Sequence, residues 1–103
     1  SMATNAMVKA GAKRAATGEN AIGFCAARAQ IITGPIGILV ANAMLGEITP
    51  TIAESVGTSE APKVLVPTAY CNVMIAGTKE LPVRECIEDA VDRIVRMYSR
   101  GNN

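Results

Sequence analysis

A chain of 103 residues has room for one small domain with one continuous hydrophobic core. Half of the residues are apolar and 18% are charged, which is typical of folded proteins and excludes a charge-rich disordered chain. A net charge of +1, with one Phe, two Tyr and no Trp, argues against nucleic acid as a partner. Nucleic-acid binding needs a basic surface and usually aromatic stacking side chains.

Few residues of this chain suit metal binding or nucleophilic catalysis. Cys25, Cys71 and Cys86 are far apart, which argues against a disulfide framework or a zinc site and predicts reduced, buried thiols. The absence of His excludes Ser-His and Cys-His nucleophile pairs and any His-based metal centre. The apolar stretch 36–45 would form a helix of about 15 Å, too short for a bilayer core of about 30 Å. We therefore predict a cytoplasmic protein with no membrane partner.

The first third of the chain predicts two helices and two short strands. Residues 2–10 predict a helix that Gly11 ends, and residues 12–16 form a weak strand candidate. Thr17 is the predicted N-cap of a second helix that reaches about Arg28. Asn20 would take the third helical position, as in a variant of the capping box.

The middle of the chain predicts a buried strand that leads into a buried helix. Residues 30–33 are a short apolar run that Gly34 and Pro35 end, which favours a strand covered on both faces of a parallel sheet. Residues 36–45 are apolar almost all round and predict a helix buried on several sides. Asn42 lies within that predicted helix, where an unsatisfied amide would cost about 1–3 kcal/mol. Its partners would be groups of the same subunit, of a neighbouring subunit, or of a ligand.

The last half of the chain predicts two helices that flank a pair of strands. Thr49 and Pro50 are expected at the cap and first position of a short helix. The runs 63–67 and 71–77 are rich in β-formers, and their close spacing favours an antiparallel hairpin.

The final helix is predicted to begin at Pro82. Its apolar stripe consists of Val83, Cys86, Ile87, Ala90, Val91, Ile94, Val95 and Tyr98. The acid–base pairs Asp89–Arg93 and Asp92–Arg96 predict a solvated opposite face. The whole order of elements predicts one α/β domain over residues 1–103, with a parallel or mixed sheet flanked by helices.

Two turns could place backbone N–H groups at a ligand crevice beside the ends of the strands. In the first, Thr17 would offer a hydroxyl, Gly18 would let a ligand approach the backbone, and Glu19 and Asn20 would bond a sugar or base. The alternative is that Thr17 and Asn20 only cap a helix.

The second turn contains Gly34, Pro35, Ile36 and Gly37. Gly34 permits a sharp turn and Gly37 exposes backbone at a helix start, but the stretch matches no standard phosphate-binding fingerprint. A tight strand-to-helix turn without ligand is the alternative. Glu47 is a candidate general base or metal ligand, or else a solvated carboxylate.

The stretches ATGENAI, IITGPIGILVANAMLGEITP and CNVMIAG resemble the small bacterial proteins grouped as domain of unknown function 3842. The resemblance runs from Ser1 to about Arg96, and its middle block is the most specific. It implies a Rossmann-like α/β fold that opens with a strand and a glycine-rich loop, so the chain is expected to lack its first strand, loop and helix. The resemblance implies no activity or cofactor.

The sequence leaves three functions open. The leading hypothesis is a domain that binds a phosphorylated small molecule or nucleotide at helix N-termini. The second is an interaction protein that forms a homo-oligomer through its Ala- and Met-rich helices and Asn42. Two copies would also cover the unpaired edge of a sheet that lacks its opening strand. The third is an enzyme with Glu47 as a base or Cys71 as a nucleophile.

Overall fold

Helices predominate over strands in the computed structural model, which describes residues 2–68 and 72–101. The described residues form a mixed α/β fold with four α-helices, a short 3₁₀ helix and a two-stranded sheet. In chain order these elements are α1 (Met2–Lys9), α2 (Glu19–Ala26), β1 (Ile32–Pro35), the 3₁₀ helix (Ile36–Leu39), α3 (Pro50–Thr58), β2 (Lys63–Val66) and α4 (Val83–Gly101).

The two strands are parallel, and their register pairs Ile32 with Lys63 and Pro35 with Val66. The Thr33 hydroxyl adds a bond by donating to the Val64 carbonyl at 2.8 Å. Parallel neighbours need a long crossover connection, and α3 lies within that connection here. The segment from β1 to β2 is therefore a β-α-β unit. It contains one parallel pair of strands, which agrees with the predicted parallel or mixed sheet.

The hydrophobic core lies where α3 meets α2 and the residues after β1. Ile48, Ile52 and Ala53 are buried there. Half-buried apolar side chains pack against these three, namely Ile22, Ile38, Ala43 and Met44. Both candidate turns therefore lead into residues of one core, Ile22 after the first turn and Ile38 after the second.

Helix α4 packs on β2 through a narrow strip of its surface. Ala90 is its buried residue, whereas Val83, Ile87 and Val91 are each about half exposed. Asp89 accepts a 2.8 Å hydrogen bond from Arg93 Nε on the same helix. That bond and the charge of Asp89 raise the pKa of Arg93. The apolar stripe predicted from the spacing is present on α4, and its members Val91, Val95 and Tyr98 are more than half exposed.

Several sequence predictions of local structure are confirmed. Helices lie where α1, α3 and α4 were predicted, and α2 ends two residues before the expected Arg28. Gly11 has φ 115° two residues after the end of α1, so it terminates this helix with a positive φ as predicted. By contrast, the weak strand predicted for residues 12–16 is wrong, because these residues form no strand. None of the helices in the described ranges is long and apolar enough to cross a membrane.

The predicted buried helix 36–45 is wrong after its first four residues. Asn42, Met44 and Leu45 have φ values of 66°, 57° and 56°, which a right-handed helix cannot contain. The segment forms a loop instead, closed by a 2.7 Å bond from the Asn42 N–H to the Ile48 carbonyl. A helix that is apolar all round needs cover on every side, and a two-stranded sheet does not supply it.

The predicted hairpin is also wrong within the described residues. Residues 72–77 contain bends and turns and no strand, so the sheet has no antiparallel pair. The part of this prediction that falls on residues 69–71 lies outside the described residues. Gly77, with φ 82°, lies in a turn, which interrupts the run that suggested a strand.

Candidate functional site

The first candidate turn places an uncapped helix N-terminus at the protein surface. Gly18 is the N-cap of α2, with φ 105°, and no side chain bonds to the helix start. The predicted cap role of Thr17 is wrong, because its hydroxyl lies 2.7 Å from the hydroxyl of Thr4. Asn20 likewise forms no capping box. The conformation of Gly18 is one that L side chains rarely adopt, so this turn depends on glycine.

Three backbone donors at this helix start have no protein acceptor within residues 2–68 and 72–101. The Ile22 N–H is bonded to the Gly18 carbonyl at 3.0 Å, whereas the N–H groups of Glu19, Asn20 and Ala21 precede the first helical turn. A Cβ at Gly18 would have no atom within 4 Å, so the space beside the turn is open. The helix dipole adds a partial positive charge at this point.

A side-chain hydrogen bond joins this helix start to the start of α3. The Thr49 hydroxyl donates to Glu19 Oε1 at 3.1 Å. The same oxygen of Thr49 accepts a 3.1 Å bond from the Ile52 N–H and so caps α3, as predicted. The Glu19 carboxylate is therefore held near two helix N-termini, where a negative charge is stabilised.

We expect Thr49→Ala to lower the free energy of unfolding by about 1 kcal/mol, because it removes the cap of α3. It also releases the Glu19 carboxylate. Thr51→Ala is the matched control, since Thr51 is exposed in the same helical turn and forms no capping bond. Urea denaturation of both variants measures the difference, and equal losses would contradict a specific role for the cap.

The second candidate turn is closed by the protein itself. A Cβ at Gly34 would lie 3.4 Å from Ile38 Cδ1, and Gly37 is buried. Pro35 has no N–H, Ile36 is half-buried, and the helix that follows has only four residues. This geometry is that of a tight strand-to-helix turn, the alternative weighed from the sequence.

The two remaining candidates lie in the loop before α3. Asn42 is exposed, so its amide needs no buried partner. Glu47 is also exposed and lies two residues before Thr49, next to the bridge between the helix starts. The site thus combines the turn 17–20 with the loop end at residues 47–49.

Thr49 is the site residue that sequence reasoning missed. Its capping role could be predicted because Pro follows it at the first helical position. Its bond to Glu19 spans 30 residues, and no local pattern signals such a contact.

The thiols form no nucleophilic centre with an activating base among the described residues. Cys25 is exposed, which contradicts the prediction that it is buried, and Cys86 is half-buried with its Sγ 3.9 Å from the Leu81 carbonyl oxygen. Cys71, the proposed nucleophile, lies outside the described residues. The described part of the chain also contains no group of three or more Cys, Asp or Glu side chains that could hold a metal ion.

Fold and site together define a small mixed α/β protein with a glycine-dependent, uncapped helix N-terminus on its surface. A sequence profile of the domain of unknown function DUF3842 matches residues 1–99 of the 103-residue chain. The chain belongs to this family. Searches of curated proteins and of solved structures gave no match.

Proposed function

We propose that this protein binds a phosphorylated small molecule, of the sugar phosphate or nucleotide class, at the N-terminus of α2. One observation carries the proposal. The N–H groups of residues 19–21 have no acceptor within the described ranges, at a turn that depends on Gly18 and is open to solvent. Backbone N–H groups at a helix start, together with the helix dipole, form a ready site for a phosphate.

The Glu19 carboxylate favours a ligand that carries hydroxyl groups as well as phosphate. A carboxylate only accepts hydrogen bonds, and one Glu19 oxygen already accepts from Thr49. Its other oxygen would accept from a sugar hydroxyl, and the exposed Asn20 amide offers both a donor and an acceptor. The same carboxylate repels free phosphate, so a sugar phosphate should bind better than phosphate alone.

The proposal extends to the fold and the location of the protein. We propose that the β1-α3-β2 unit is part of a Rossmann-like layered sheet, in which ligands bind beyond the carboxyl ends of the strands. The free thiols of Cys25 and Cys86 favour a reducing compartment, and we propose the cytoplasm.

Gly18→Ala is expected to weaken binding of ribose 5-phosphate by at least about tenfold, because a side chain strains the turn and covers the open N–H groups. Gly11→Ala is the matched control. Gly11 has φ 115° against 105° for Gly18, and a Cβ at either position meets no atom within 4 Å. Both variants should lose similar stability. Isothermal titration with ribose 5-phosphate, AMP and inorganic phosphate measures the binding.

Glu19→Gln distinguishes the contribution of the sugar hydroxyl to binding from that of the phosphate. It should strengthen binding of inorganic phosphate and reduce the preference for ribose 5-phosphate, because the amide has no charge and a weaker acceptor. If the wild-type protein binds none of these ligands, or if Gly11→Ala weakens binding as much as Gly18→Ala, the proposed site is wrong.

A second candidate function is self-association through α4. Its outer face has an unbroken row of about half-exposed apolar side chains at spacings of three and four residues, namely Val83, Ile87, Val91, Val95 and Tyr98. Contiguous exposed apolar surface of this kind marks protein interaction sites. This observation favours a homo-oligomer, and the oligomeric state of a variant at Val91 tests it.

A further inference from the structure

A groove of about 800 Å³ lies between β2, the segment 75–81 and α4. Its floor is apolar. Val64 and Leu65 of β2 and Met97 of α4 are half-buried there, and Ala90 is buried. A groove of this size falls within the range of about 300–1,000 Å³ that is usual for small-molecule sites.

The rim of this groove is unusually basic for this chain. Its basic lining residues are Lys63, Lys79, Arg93, Arg96 and Arg100, and its acidic lining residue is Asp89. The whole chain has ten basic and nine acidic residues, so half of the positive charges and one of the negative charges line one groove. This enrichment gives the groove a positive potential that the net charge of +1 conceals.

Some of these cations already have partners. Arg93 is paired with Asp89, and Lys63 Nζ donates to the carbonyls of Ser59 and Ala61 at 2.7 and 3.2 Å. The other three, Lys79, Arg96 and Arg100, have no carboxylate partner within the described ranges, and Arg96 Nε donates to the Asp92 backbone carbonyl at 3.3 Å.

These three cations come from two separate segments of the groove wall. Arg96 and Arg100 are one turn apart on α4, so both extend from the same side of that helix. Lys79 belongs to the segment 75–81. An anionic group in the groove would therefore be contacted from two walls.

We propose that this groove binds a small anion with an apolar body, such as an alkyl carboxylate or an alkyl phosphate. The apolar body would cover the floor at Leu65, Ala90 and Met97, and the anionic head would lie near Arg96 and Arg100. This groove shares no lining residue with the turn 17–20, Glu47 or Thr49. The inference is therefore independent of the proposed function.

Methyl NMR of methionine-labelled protein gives a site-specific test. Met97 lines the groove, whereas Met2, Met7 and Met44 lie outside it. Titration with decanoate or decyl phosphate should shift the Met97 methyl signal saturably and leave these three in place. Acetate, which lacks the chain, and decyltrimethylammonium, which has the opposite charge, should bind at least about tenfold more weakly. The stronger of the two anionic ligands identifies the preferred head group.

Arg96→Gln combined with Arg100→Gln should weaken decanoate binding by about tenfold, because it removes two cations that have no carboxylate partner and keeps polar side chains. Arg84→Gln is the matched control, an exposed arginine of α4 that does not line the groove. Raising the salt concentration should weaken decanoate binding to the wild-type protein, a readout that needs no variant.

Four results would overturn the inference. The first is an unmoved Met97 signal, and the second is equal binding of the anionic and cationic amphiphiles. The third is a uniform shift of all methionine signals, which indicates unspecific detergent binding. Binding that Arg84→Gln weakens as much as the double variant would also contradict it.

Discussion

Ile52→Ala is expected to lower the free energy of unfolding by about 2–4 kcal/mol. Ile52 is 6% exposed and lies with Ile48 and Ala53 at the centre of the core, so the substitution leaves a cavity that the rigid helix α3 cannot fill. Domains of this size have a total stability of about 5–15 kcal/mol. The loss would therefore be a large share of the whole, and urea denaturation followed by circular dichroism measures it.

Val8→Ala is the matched control for the core substitution. Val8 is also a β-branched aliphatic residue in a helix, but it is 48% exposed on α1 and lies outside the apolar row of α4. Its truncation should change the free energy of unfolding by less than about 1 kcal/mol, because little buried apolar surface is lost and alanine favours the helix. Equal effects at the two positions would show that the core is not where these contacts place it.

The helices of this protein were predictable because their signals are local. Gly11 ends α1 with a positive φ, and Thr49 caps α3 through the bond from the Ile52 N–H. Each signal involves residues no more than a few positions apart, so the sequence alone contains it.

The errors fall where the outcome depends on contacts between distant segments. The apolar run 36–45 could form a helix or a loop, and the run 71–77 a strand or a loop, because short apolar runs carry no decisive periodicity. In the first, Asn42 and Ile48 bond to each other and close a loop. In the second, residues 72–77 have no neighbouring strand to pair with in the sheet of β1 and β2.

The candidate site was predictable in part for the same reason. Gly18 and Glu19 were identified from the turn itself, and the structure places them at an open helix start. The role of Thr17 was wrong because its hydroxyl meets Thr4 of α1, a contact between separate elements. The turn that begins at Gly34 was indistinguishable by sequence from an open one, and Ile38 Cδ1, 3.4 Å from where a Cβ of Gly34 would lie, leaves little space beside it.

The apolar stripe of α4 was predicted as a pattern of spacing, and such a pattern does not state how deeply each side chain is buried. The periodicity identifies the face that favours an apolar environment, but it does not identify what covers that face. In this chain β2 covers the side at Ala90 and leaves Val91 and Val95 about half exposed. Another β-strand, or a second copy of the chain, would bury the part of this apolar face that β2 leaves exposed.

Val91→Glu is expected to abolish self-association of the protein. Val91 is 53% exposed in the middle of the row that runs from Val83 to Tyr98, so an interface through this face would bury it. A buried carboxylate without a partner should raise the dissociation constant by at least about 100-fold. Glutamate is a good helix former, so α4 itself should persist. Sedimentation velocity over a range of protein concentrations measures the change from oligomer to monomer.

Met74→Glu is the matched control, because it introduces the same charge at an apolar position that is 94% exposed and lies outside α4. It should leave the association unchanged, and circular dichroism should show equal helix content for both variants. A wild-type protein that is monomeric at every concentration would refute self-association. An oligomer that survives Val91→Glu would place the interface elsewhere, because an uncompensated carboxylate cannot be tolerated at the centre of a packed apolar contact.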